Sequence, residues 1–239
     1  MRTRVLRWTR VGAVMALLAV TGLAAAASTG TAKADGAQPG PLWSGYVSFA
    51  GPFSSASADF IVPGATCSQG PGENGPAEAF WAGVAGTSTI VQTGFLVECV
   101  SGQPAYAGWH ADLTGQHLTI LSQPMQPGDQ VDASVDCWSG VCDETVQDVT
   151  QNWSDTSSLE APDVGIRAAV AAESYSGGVT IGQVQVTNAM VNGSPIGQLN
   201  PEAQVQNPAI YNGLAELDPF PLDPTGTAFY FFWNGNPGS

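Results

Sequence analysis

Few side chains in this sequence are of a kind and spacing that could do chemistry. There is no Gly-x-Ser-x-Gly elbow, no His-Glu-x-x-His, no phosphate-binding loop and no dinucleotide fingerprint. Standard serine, cysteine and zinc hydrolases are thereby disfavoured. What remains is a glutamine set in Val91-Gln92-Thr93-Gly94, a set of tryptophans and 20 Asp and Glu residues. A positioned carboxylate can take a proton from water, an amide can donate to a developing oxyanion, and an indole can wall a groove or stack on a sugar. The palette suits carboxylate-based acid chemistry or carbohydrate contact.

The elements that must position these groups follow from composition. With 44% hydrophobic and 11% charged residues, 239 residues can bury a core without help. Arg2, Arg4, Arg7 and Arg10 precede an apolar run of 17 residues from Val11 to Ala27, and Ala32-Lys33-Ala34 is a small-x-small site. This pattern predicts a secretory signal peptide over 1–34, a flexible leading segment over 35–41 and a single domain over 42–239. The chain from Asp35 onward then holds 20 acids and one base, Arg167, a formal charge of 1 − 20 = −19. Such a surface disfavours nucleic acid and anionic membranes and suits an acidic milieu. With the signal peptide, the chain is expected to be extracellular, and it is expected to be a monomer.

Cys67, Cys99, Cys137 and Cys142 all lie in the exported part, where thiols pair. Three connectivities are open; a Cys137 to Cys142 bond would close a short loop and leave Cys67 with Cys99 to staple two distant segments. No Cys-x-x-Cys occurs, and His110 and His117 stand far from any cysteine, so neither a metal nor a cofactor is expected.

Short runs rich in Val, Ile, Thr and aromatics, punctuated by Gly and Pro, predict an all-β sandwich or barrel. The strands are expected at 43–49, 56–62, 79–84, 89–97, 118–121, 131–138, 145–153, 166–173, 179–186 and 229–233. Ile166 to Ala172 is Ala-rich enough to compete as a helix. The segment from Asn200 to Thr227 is long for a loop, and a strand around Ala209 to Leu217 is one way to account for it.

In order and spacing, Leu42-Trp43-Ser44-Gly45-Tyr46-Val47, Ala58-Asp59-Phe60-Ile61-Val62-Pro63, Phe80-Trp81-Ala82-Gly83, Gln92-Thr93-Gly94 and Gln185-Val186-Thr187-Asn188-Ala189 resemble the glutamic peptidase (eqolisin) family of secreted acid endopeptidases. The resemblance implies a concanavalin A-like sandwich of two antiparallel sheets, with an active site on the concave face of one. It also implies that Trp43, Trp81 and Trp109 line a substrate groove, and that Gln92 matches the glutamine that stabilises the oxyanion. The cysteine positions fit a pair of Cys67 with Cys99.

The family's general base is a glutamate in an Ala-Glu-x-x-x-Glu strand. Here that stretch reads Ala168-Ala169-Val170-Ala171-Ala172-Glu173, which sets Ala169 at the base position. A methyl group cannot take a proton from water. Where the family carries an acid after Trp-x-Gly and in Trp-Tyr-Glu, this chain reads Trp81-Ala82-Gly83-Val84-Ala85-Gly86 and Trp109-His110-Ala111, so three carboxylate positions read Ala. If the strand slid by four residues, Glu173 would substitute and face Gln92. The expectation is a glutamic-peptidase-like protein with weak or lost activity. The alternative is a peptide- or glycan-binding module that keeps the groove. His110 and His117, on either side of a Gly-Gln turn, are expected at the surface, and Arg167 is expected to pair with a carboxylate near the cleft or elsewhere on the surface.

Overall fold

The computed structural model describes residues 38–40, 43–67, 77–112, 117–174, 179–206 and 217–233. The expected signal segment lies outside them. Two sheets face each other. The first runs in the order β1 (Gln38–Gly40), β16 (Glu202–Gln206), β2 (Trp43–Ser48), β12 (Val164–Ser174), β5 (Ala77–Gly86), β6 (Ile90–Val100), β7 (Gln103–Asp112), β8 (His117–Ile120). The second runs β11 (Trp153–Glu160), β10 (Val141–Asp148), β9 (Gln130–Trp138), β3 (Ser55–Ile61), β14 (Val184–Val191), β18 (Phe229–Trp233), β17 (Leu217–Pro219), with β15 (Ser194–Pro195) on β14. A small ribbon pairs β13 (Val179–Ile181) with β4 (Ala65–Cys67). Pairing is antiparallel throughout both large sheets except at the edge, where β1 and β16 run parallel.

Side-chain alternation explains the layers. Along β9, Val131, Ala133 and Val135 are buried while the residues between them are not, as a strand covered on one face requires. Between the sheets Phe80 stacks on Phe95 at 4.9 Å, Phe60 meets Phe95 edge-on at 5.8 Å, and Phe229 packs against Tyr46 at 4.9 Å. Each such pair adds about 0.5–1.5 kcal/mol beyond its area burial. The Tyr46 hydroxyl donates to Phe220 O (2.9 Å) and accepts from Leu222 N (3.1 Å), tying β2 to the segment after β17. Burial pushes its pKa up to about 12.

Several boundaries differ from the expectation. The Ala-rich stretch is strand, not helix: β12 is hydrogen-bonded to β2 on one side and β5 on the other, and this pairing overrides alanine's helical propensity. The expected strand over 145–153 is two strands; β10 stops at Asp148, the chain turns through Asn152 at φ 57°, and β11 begins at Trp153. The expected strand over 179–186 is also split, at Gly182 and Gln183, because β13 and β14 belong to different sheets. β7, continuous although it carries Pro104 and Gly108, is not among the expected strands. The segment from Asn200 to Thr227 contains β16 and β17; of the strand expected around Ala209 to Leu217, residues 209–216 lie outside the described residues.

Both cysteine pairs are joined, Cys67 to Cys99 and Cys137 to Cys142. The first fixes the small ribbon to β6; the second lies across the turn between β9 and β10. No helix of the described residues is long and apolar enough to cross a membrane.

Candidate active site

The outer face of the first sheet, turned away from the second, carries its own apolar cluster of Val47, Ala79, Trp81, Leu96, Trp109, Ala111, Ala169 and Ala171, with Trp43 against it. It is built in cross-strand rows. One row reads Glu202, Val47, Ala169, Gly83, Gln92, Ala111, Leu118. The next reads Gln204, Gly45, Ala171, Trp81, Gly94, Trp109, Ile120, and the third Trp43, Glu173, Ala79, Leu96, Ala107.

Ala169 therefore stands two strands from Gln92, with only Gly83 between them. At about 4.8 Å per strand their backbones are about 10 Å apart, a gap that a Gln and a Glu side chain could close from either side. Glu173 lies on the same face but two rows further along, about 13 Å from Ala169 at about 3.3 Å per residue. Gly83 is required: a Cβ there would meet Val91 O at 2.7 Å and Gln92 Cβ at 2.8 Å. Gly94, between Trp81 and Trp109, is tighter still, with Phe80 O 1.9 Å from its would-be Cβ. These glycines let the neighbouring strands approach closely beside Gln92.

Two indole donors of this face are left without acceptors among the described residues. Trp81 and Trp109 are 6% and 1% exposed, and neither indole N–H has a partner among the described residues. Trp43 packs edge-on to Trp81 at 6.2 Å. Gln92 is buried, and its backbone N–H donates to Glu144 Oε1 (3.2 Å), which reaches across from β10 in the second sheet. Arg167, two residues before Ala169 on the same face, donates to Gly86 O (3.3 Å), while its Nε has no partner. The ion pair expected for Arg167 is not present among the described residues, where the one acid–base contact within ion-pair distance is that of His110 with Asp155. Burial lowers the Arg167 pKa from its ordinary value.

Beneath the groove, on the face toward the second sheet, Thr93 Oγ1 donates to Trp109 O (2.8 Å) and lies 2.9 Å from His110 Nδ1, while His110 Nε2 is 3.0 Å from Asp155 Oδ1. His110 is buried rather than at the surface as expected, because β7 alternation turns it inward between Gly108 and Asp112. Burial lowers its pKa, opposed by the Asp155 carboxylate. His117 and Asp112 pair by backbone at the start of β8; their side chains lie outside the described residues. Glu144 and Asp155 escaped the sequence reading. Glu144 carried a signal, since it occupies an inward position between Cys142 and Val146, where an acid must have a buried partner.

Among the described residues no cluster of His, Cys, Asp and Glu could hold a metal ion. As built, the row sets the Gln92 amide in line with the Ala169 methyl group.

Residues 41–193 match the model of the peptidase A4 family. No curated protein matches the chain. Among solved structures, the chain is similar to scytalido-glutamic peptidase with a transition state analog inhibitor, at 18% identity and TM-score 0.64, over 81% of this chain and 98% of that one. It is also similar to SCP-B, a member of the eqolisin family in complex with the tripeptide Ala-Ile-His, at 17% identity and TM-score 0.56, over the same shares. At such identities the likeness is one of fold, the two-sheet sandwich described above. With the family match covering more than half of its length, the chain belongs to the peptidase A4 family, the glutamic peptidases or eqolisins.

Proposed function

We propose that this protein is a secreted glutamic-peptidase-like protein whose peptide-bond hydrolysis is weak or lost, and whose groove holds a polypeptide without efficient cleavage. The observation that supports this reading is the row itself: Gln92, which the resemblance matches to the oxyanion-stabilising glutamine, stands in one row with Ala169, and the residue opposite it carries no carboxylate. With no carboxylate there, water is not deprotonated as it attacks the peptide carbonyl. Loss of a general base removes about 10²- to 10⁴-fold of rate. Glu173 is a poor substitute, since the pairing of Glu173 with Trp43 and Ala79 sets it two rows from Gln92. Residues 1–34 would direct export, in keeping with two disulfides.

A second reading, a carbohydrate-binding module, is favoured by Trp43, Trp81 and Trp109 sharing one face. Digestion of casein at acid pH, with tryptophan fluorescence followed in parallel against peptides and polysaccharides, separates these. Slow or absent cleavage with a response to peptides supports the proposal. Rapid cleavage overturns it, and a response to polysaccharides alone moves the protein to the second reading.

A further inference from the structure

The one Lys or Arg in the chain from residue 35 onward, Arg167, has no acid partner among the described residues, although 20 side-chain carboxylates accompany it. Arg167 is half-buried, on the groove face of β12, and its side chain is anchored by Gly86 O so that Nε is left over. A guanidinium withdrawn from water without a counter-charge is unfavourable unless a ligand supplies one. Its row holds Ala85 and Ile90, and the adjoining row holds Ala169, Gly83 and Gln92. Small side chains therefore leave room between Arg167 and the Gln92 amide, which makes no hydrogen bond to another described residue. Two further donors without acceptors, the Trp81 and Trp109 indoles, stand one row beyond Gln92, both more than nine-tenths buried.

Among the described residues the carboxylates lie at the margins of this stretch, with Asp163 beside Gly86, Glu202 at the far edge of the Gln92 row and Glu173 and Glu98 toward the other end of the strands. We infer that the groove is a seat for a ligand carboxylate, the free C-terminus of a peptide, placed over Gly83 and Ala169 between Gln92 and Arg167. The ligand brings the anion that residue 169 does not. This rests on the peptide-groove reading above and narrows it from any polypeptide to one ending in the groove. The −14 formal charge of the chain opposes any anion at long range, so the preference must be local and should persist at 0.15 M salt, where fields decay over about 8 Å.

The test compares N-acetyl-Ala-Ala-Phe as the free acid and as the C-terminal amide, titrated at about pH 5.5, where a C-terminal carboxyl of ordinary pKa about 3.3–3.7 is ionised. Binding is read by calorimetry and tryptophan fluorescence on the exported chain. The acid is expected to bind about tenfold tighter than the amide or better, the margin of one charge-assisted hydrogen-bonded contact. Arg167→Gln should erase that preference and Arg167→Lys should keep part of it. Ala169→Glu, which fills the seat with a tethered carboxylate, should weaken the acid about tenfold and spare the amide. Equal binding of acid and amide by the unaltered protein overturns the carboxylate seat while leaving a peptide groove standing. Failure of both to bind overturns the peptide-groove reading as well. A preference that survives both Arg167→Gln and Ala169→Glu overturns the placement.

Discussion

Ala169 and Gln92 face each other across Gly83, each hydrogen-bond-paired through the same central strand, so the distance between the two positions is set by backbone and not by side-chain choice. Restoring or removing chemistry here should need only one side chain, provided that the glycine between them is kept.

Gly83→Ala tests that condition. The added methyl would stand 2.7 Å from Val91 O and 2.8 Å from Gln92 Cβ, so Gln92 must shift. Overpacking of this kind costs about 1–3 kcal/mol. Urea unfolding should show a lower midpoint at unchanged slope, together with loss of peptide binding in the groove. A variant as stable as the parent with intact binding would show that the row tolerates movement.

Glu78 is an acid buried inside the fold. It is 1% exposed, bonded to Ser174 Oγ at 2.5 Å, and burial pushes its pKa well above the ordinary glutamate value, with the Glu173 charge adding to the effect. Asp59, Glu98 and Asp148 are raised as well, each chiefly by burial. A raised folded pKa means that the folded state holds the proton longer. The stability it contributes is full below the unfolded value and is lost as pH rises through the folded one. Asp163 and Asp223, lowered chiefly by their hydroxyl and backbone hydrogen bonds, act in the opposite sense and lose their contribution as pH falls. The raised set includes the buried member, so the melting temperature should be higher near pH 4 than near pH 8 at low salt. Glu78→Gln, an uncharged mimic of the protonated acid, should narrow that gap. A gap unchanged by Glu78→Gln would place the pH dependence elsewhere.

The His110 contact with Asp155 should matter to stability despite being an ion pair only when the imidazole is charged. At neutral pH Nε2–H donates to Asp155, and removing that acceptor leaves a buried donor unmet. Asp155→Ala is expected to cost about 1–3 kcal/mol in urea unfolding at pH 7. Because the folded His110 pKa is lowered, the histidine's own contribution is present above about pH 6.5 and diminishes as pH falls. A change of less than about 0.5 kcal/mol would mean that water replaces the carboxylate.

The sandwich was legible because its strands alternate: β9 and β3 show the period of two directly. What escaped notice were elements without that period. β7 is interrupted by Pro104 and Gly108, which lower its strand propensity, yet pairing with β6 along its whole length makes it a central strand. His110 and Asp155 are 45 residues apart and meet only because β7 and β11 lie in opposite sheets. Glu144 reaches Gln92 by the same kind of contact between sheets, invisible to any local pattern. Trp43, Trp81, Gln92 and Ala169 share one sheet face, but the pairing that sets Ala169, and not Glu173, in the row of Gln92 is a matter of register, which no local pattern carries.

The most direct test is a single substitution read by one assay, haemoglobin digestion at about pH 4 by the unaltered protein and by Ala169→Glu. Supplying the carboxylate opposite Gln92 should raise the rate by about 10²-fold or more, with the gain lost again when Gln92→Ala is added. Efficient digestion by the unaltered protein, abolished by Glu173→Gln and not increased by Ala169→Glu, would contradict the account and assign the base to Glu173.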